Sequence, residues 1–108
     1  MTIDEVREMA LSLPEVDESP HHHYSSFRVA GKIIATVPPD ESYVNIFVDE
    51  FQTEMMLEID PVVFEKLMWG KSAMGLKVHF SKADIFDVNA LLKSAWERKA
   101  PRSMQIKK

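Results

Sequence analysis

The chain has 108 residues, 45% hydrophobic and 28% charged, with a net charge of −4; that length and apolar content suit one ordinary domain with a single core. Cysteine is absent, which removes disulfides, thiolate metal ligands, iron–sulfur clusters and cysteine nucleophiles together and fits a reducing compartment. The start, MTIDEVREMALSL, carries neither the basic segment nor the long apolar run of a signal peptide, and no stretch approaches the roughly 18 apolar residues of a spanning helix, so a cytoplasmic protein with no membrane partner is expected.

Charge is unevenly spread. Residues 1–20 hold Asp4, Glu5, Glu8, Glu15, Asp17 and Glu18 against Arg7, and residues 93–108 hold Lys93, Arg98, Lys99, Arg102, Lys107 and Lys108 against Glu97. A negative net charge argues against strong nonspecific nucleic-acid binding, which needs many phosphate contacts, although the basic end can supply a few. Charge runs mostly solvate a surface, and residues 101–108 are expected to form a basic, flexible tail.

Thr2 and Glu5 have the spacing of a capping box, and Val6, Met9, Ala10 and Leu13 recur as one helical stripe that Pro14 ends. Asp4 and Glu5 also suit the positive end of that helix. From Tyr24 the period becomes two: Phe27 and Val29, a turn at Ala30-Gly31, then Ile33, Ala35 and Val37 predict a hairpin. His21-His22-His23 lead into it as loop or strand-edge residues. Pro38-Pro39-Asp40-Glu41 separate the hairpin from a third strand, YVNIFV, with Val44, Ile46 and Val48 on one face.

Asp49 can cap a helix over residues 50–59 with Phe51, Met55 and Ile59 turned inward. Asp60-Pro61 closes it, and Val62, Val63, Phe64, Leu67 and Met68 fit a further turn of helix. After a break at Trp69-Gly70-Lys71, Leu76, Val78 and Phe80 alternate with Lys77 and His79, which predicts a fourth strand with those two on its polar face. The last helix has Asp84 as cap, a wide apolar stripe of Ile85, Val88, Leu91, Leu92, Ala95 and Trp96, and Ala100-Pro101 as its end. Gly31, Gly70 and Gly75 all read as turn residues. The order α-β-β-β-α-β-α, with hairpins in place of βαβ units, predicts a single α+β domain: an antiparallel sheet of about four to five strands with helices packed on one face.

Little here reads as reaction chemistry. On a strand His21 and His23 would point to one side, but a zinc site needs three or four ligands, and the only histidine outside the run is His79. Ser25 and Ser26 lack a Gly-x-Ser-x-Gly elbow, an orienting acid and an oxyanion hole, and no phosphate-binding glycine loop occurs. The expectation is therefore no catalytic residue, no metal site, no cofactor and no enzymatic activity.

Pro20-His21 leading into Ser26-Phe27-Arg28-Val29 and Gly31-Lys32-Ile33, then Trp69-Gly70-Lys71 before a strand, then Ser94-Ala95-Trp96 with Ala100-Pro101-Arg102, occur in an order that resembles the MmcQ/YjbR-like family over nearly the whole chain. The resemblance implies a CyaY-like (frataxin-like) α+β fold with a "double wing" sheet, and a DNA-binding label that family members often carry. One position departs: where members often show a second tryptophan near the following glycine, this chain has Met74-Gly75. The likeness to frataxin also implies weak metal binding by the early acids, Asp4, Glu5, Glu8, Glu15, Asp17 and Glu18, as an alternative; oxygen ligands suit hard cations.

A noncatalytic binding module, with DNA as the ligand that the resemblance implies, follows. Its candidate nucleic-acid contacts are Arg28, Lys32, Trp69, Lys71, Lys77, Arg98 and Arg102, since such binding needs bases for phosphate and rings for stacking. His21, His22, His23 and Tyr24 are candidates for the same ligand surface. A protein partner is the other reading, through a domain resembling a small secretion-type chaperone, with Met55, Met56, Met68 and Met74 as adaptable apolar contacts.

Overall fold

The computed structural model describes residues 1–105, so residues 106–108 of the basic tail lie outside the described residues. The chain runs α1 (Ile3–Leu11), β1 (Val16–His21), β2 (Tyr24–Val29), β3 (Lys32–Val37), β4 (Val44–Ile46), α2 (Glu50–Ile59), β5 (Phe64–Trp69), β6 (Ser72–Val78), a 3-10 turn (Phe80–Lys82), α3 (Ile85–Lys99) and α4 (Arg102–Gln105). One sheet of six strands, in the order β1-β2-β3-β4-β6-β5, is antiparallel throughout. This is the expected α+β layer, enlarged by two edge strands.

Both added strands escape a periodicity reading for physical reasons. Val16–His21 reads VDESPH and has one aliphatic residue, because an edge strand half open to water needs little apolar surface, and an edge tolerates Pro20, whose missing N–H a central ladder would lack. His21 therefore ends β1, and His22-His23 form a two-residue turn into β2 rather than a lead-in to the first hairpin. Phe64–Trp69, expected as a helical turn, is an edge strand paired with β6, and Trp69-Gly70-Lys71 turns the chain between them. Its apolar residues fall on alternate faces: Phe64 is in the core, while Leu67 lies opposite Gly75 on the other side.

The core lies between one sheet face and the helices. Phe27, Val29, Ala35, Val44, Ile46, Leu76, Val78 and Phe64 supply the sheet side, and Val6, Ala10, Val88, Leu91, Leu92 and Ala95 the helix side. Burying each large aliphatic or aromatic chain contributes about 1.5–3 kcal/mol. The capping box at Thr2 and Glu5 is formed, as are the caps at Asp49 and Asp84. Trp96 donates from Nε1 to the Pro14 carbonyl at 2.9 Å, tying α3 to the end of α1. Met104 packs against the core, and Gln105 Nε2 donates to the Glu97 and Ala100 carbonyls, so the first part of the tail is folded back.

Two expectations are corrected. On α2 it is Thr53 and Met56 that are buried, while Phe51, Met55 and Ile59 face outward; α2 rests on β5 and β6, and the strand missed in the sequence is what sets its roll. Gly75 is not a turn residue. It sits inside β6 at φ 156°, where a Cβ would lie 2.4 Å from the Ile46 carbonyl oxygen and 2.9 Å from Phe47 Cα. Only glycine lets β4 leave the sheet so close to β6.

Glu18 fastens α1 to the edge strand. It accepts from Arg7 Nε at 3.0 and 3.2 Å and from Ser25 Oγ at 2.5 Å. Partial burial pushes its carboxyl upward, but the Ser25 hydrogen bond and the Arg7 guanidinium outweigh that and hold it below its ordinary value of 4.5.

Gly75→Ala is expected to cost about 2–5 kcal/mol, combining backbone strain with overpacking against a carbonyl, read as a lowered urea midpoint. For Glu18→Gln the expected cost at pH 7 is about 1 kcal/mol, since one charged acceptor of a partly exposed pair is lost. Because the folded carboxyl sits low, this stabilisation is complete above pH 4.5 and fades as pH falls through the folded value. Wild type and variant should then converge in acid; a constant gap from pH 7 to pH 3 would show that charge plays no part.

Candidate functional site

Because α1, α2 and α3 all lie on the core side, the opposite face of the sheet is left open, and its cross-strand register decides what it shows. One row of paired residues crosses all six strands: Ser19, Ser26, Thr36, Asn45, Lys77 and Glu65. The row is polar from end to end, as an uncovered face requires. Ser26 Oγ donates to the Ser19 carbonyl at 2.8 Å and receives Arg28 Nε at 3.0 Å. Asn45 Nδ2 donates to Thr36 Oγ1 at 3.1 Å.

A second row carries rings and charge. Tyr24 and Tyr43 place their hydroxyls 3.4 Å apart, and Lys77 Nζ stands 4.5 Å above the Tyr43 ring. The Tyr24 hydrogen bond, with burial and nearby negative charge added, pushes the Tyr43 phenol up to about 12. His79 Nε2 meets Glu65 Oε1 at 2.6 Å, which holds that carboxyl below the usual range. Arg28 lies 3.3 Å from His21 Nδ1.

Beside the first row is a groove of about 800 Å³. Thr36 and Asn45 line its floor; Ile33, Leu67, Met68, Ala73 and Met74 give apolar walls; and His21, His22, Tyr24, Trp69 and Arg98 stand around it. The size falls in the range of small-ligand pockets. Two β-bulges flank it, one where β2 meets β3 between Phe27 and Arg28, one where β5 meets β6 between Leu67 and Met68. Bulges bend and twist a sheet, and these two lie on either side of the central strand β4. Arg98 is held there by donating from Nη1 to the Phe47 carbonyl at 2.9 Å.

Of the residues singled out in the sequence, the groove thus gathers His21, His22, Tyr24, Trp69 and Arg98. Arg28 and Lys77 share the same sheet face beside it. Lys32 is exposed at the β2–β3 turn, Lys71 at the β5–β6 turn and Arg102 at the start of α4, all outside the groove lining; His23 lines a smaller hollow on the other side of its hairpin. Among the described residues no group of three or more His, Asp or Glu side chains is placed to hold a metal. The early acids are dispersed: Asp4 and Glu5 at the start of α1, Glu18 bound to Arg7, and Asp17 opposite Arg28.

The methionines separate. Met56 is buried, Met55 is exposed on α2, and only Met68 and Met74 join the groove. Met74, at the position where a second tryptophan was the implied norm, is the extra residue of the β5–β6 bulge. Thr36 and Asn45 went unnoticed in the sequence, although each is the one polar residue inside an otherwise apolar strand run, IIATV and YVNIFV.

Among the described residues no helix is long and apolar enough to cross a membrane. None of the curated proteins matches the chain. The crystal structure of Deinococcus radiodurans protein DR2400, titled with the family-model domain DUF419, is similar in fold at TM-score 0.73 and 17% identity, over 88% of this chain and 75% of that one. A YjbR family model matches residues 11–98, from the last turn of α1 through almost all of α3. With its sheet, its groove and both bulges inside that match, the chain belongs to the YjbR family.

Proposed function

We propose that this chain is a noncatalytic binding module whose working surface is the open face of the sheet, and that the ligand laid across it is single-stranded DNA. The observation that carries the reading is the gathering of rings and cations around one uncovered face: Trp69, 77% exposed, with Tyr24, His21 and His22, beside Arg28 and Lys77, and Arg98 reaching the groove from α3. Open sheet faces suit single strands because splayed bases stack on side-chain rings while cations follow the backbone. The net charge of −4 keeps that attraction modest and dependent on salt.

A protein-interaction domain is the second reading, and it has its own support: Phe51, 74% exposed, with Met55 and Ile59 forms an apolar stripe along the outer side of α2, continued by exposed Val62. A stripe of that kind, rimmed by polar residues, is a common mark of a partner surface.

Fluorescence anisotropy with a labelled short single strand separates the two. Binding at low salt should weaken with salt at a log–log slope of about 2, the value for about three phosphate contacts on a single strand. Trp69→Ala should weaken it by about 1–3 kcal/mol through lost stacking, and Arg28→Glu or Lys71→Glu should weaken it while Phe51→Ser leaves it unchanged. No binding at low salt overturns the DNA reading. Recovery of one stoichiometric protein partner, abolished by Phe51→Ser and not by Arg28→Glu, favours the second.

A further inference from the structure

The floor of the groove contains a polar atom with nothing to bind. Asn45 is 6% exposed, its Nδ2 is spent on Thr36 Oγ1, and among the described residues its Oδ1 has no hydrogen-bond partner. Leaving a buried acceptor unpaired costs about 1–3 kcal/mol, which is why such groups are uncommon in native cores. The same strand offers an easy escape: an apolar residue at this position would suit the otherwise apolar run of β4. Thr36, directly opposite, repeats the pattern on β3.

We infer that the groove is a recognition site for a flat, mainly apolar heterocycle carrying an N–H donor, and that Asn45 Oδ1 is the acceptor that fixes it. This rests on the open face being the working surface, and it names what that face recognises. Three features converge on the class. The walls are apolar and partly flexible, with Leu67, Met68 and Met74 against Ile33, so the body of the ligand is apolar. The rim carries the exposed indole of Trp69, whose open ring face accepts another flat ring. The floor holds a lone acceptor just beneath its surface, so the ligand brings a donor. The terminal torsion of an asparagine is broad, and a small rotation turns the carboxamide from its buried pose toward the groove. A free heterocycle and a base held out from a strand share this chemistry.

The probes, followed by amide NMR on the full chain, are indole and 1-methylindole, in which a methyl group takes the place of the ring N–H donor. Indole should shift the signals of Thr36, Asn45 and Leu67, and 1-methylindole should bind at least tenfold more weakly, the size of one hydrogen bond left unmade. Asn45→Leu should erase that preference; the comparison on wild type stands alone should the variant fail to fold. Equal binding of the two probes, or shifts confined to α2, overturns the inference. A deoxyadenosine nucleoside and a short deoxyadenosine strand distinguish the sources: Asn45 moved by the strand at lower concentration assigns the ring to DNA, and by the nucleoside alone to a free molecule. DNA bound with Asn45 unmoved and no indole preference removes this inference and leaves the DNA reading standing. Indole held at Asn45 with no DNA binding at low salt does the reverse.

Discussion

A six-stranded sheet covered on one face only imposes two chemistries on the same backbone, and most of this molecule follows from that constraint. Side chains alternate across a strand, so each residue that feeds the core sends its neighbours to the open side. Phe27, Ala35, Ile46 and Leu76 form the inner row, and Ser26, Thr36, Asn45 and Lys77 form the outer row one step along each strand. A slip of one residue would exchange the rows and bury Lys77 among the helices. The register is thus held from both sides, by apolar burial within and by cross-strand hydrogen bonds without.

The constraint also explains which parts of the fold could be read from the chain. Central strands declare themselves because they must alternate, as in FRV and KIIATV, and α3 declares itself because Val88, Leu91, Leu92, Ala95 and Trp96 must face one sheet. Edge strands face weaker demands. β1 contributes a single valine and a carboxylate, Glu18, to the covered face, and β5 places Lys66 there, where it reaches Glu54 of α2 at 2.6 Å. With a lysine on the covered side and Leu67 on the open side, β5 offers no period-two signal, and its apolar residues mimic a helical turn. The roll of α2 depends on that strand: Phe51, Met55 and Ile59 have helical spacing, but the face they share is not the one β5 and β6 receive.

The histidine run has a local explanation before any functional one. His22 sits at φ 58° at the first position of a two-residue turn, and histidine is among the few residues other than glycine enriched in that region. His21 follows from register, since it stands opposite Tyr24 on the open face and meets Arg28 there. Three identical neighbours thus have different surroundings: His21 in the ring-bearing row, His22 at the turn beside the groove, and His23 on the far side. The sequence showed a cluster, but the turn disperses it. The true cluster of the site is noncontiguous. Thr36, Asn45, Leu67 and Met74 come from four strands, and only the pairing order brings them together.

A site made from strand residues differs in kind from one made on loops. Backbone ladders on both sides hold Thr36 and Asn45, so the floor of the groove has little freedom to adapt, while Met68, Met74 and Trp69 near a hairpin end have more. Rigid polar floor and pliable apolar rim divide the work: the floor discriminates by whether a donor is present, and the rim accommodates shape. The unpaired Asn45 Oδ1 and the close passage at Gly75 lie one strand apart, where β4 is only three residues long. Past Ile46 the chain keeps a bond to β3, from Phe47 N–H to the Ile34 carbonyl at 3.1 Å, and its backbone runs where a side chain at position 75 would stand, so Phe47 itself joins the groove lining.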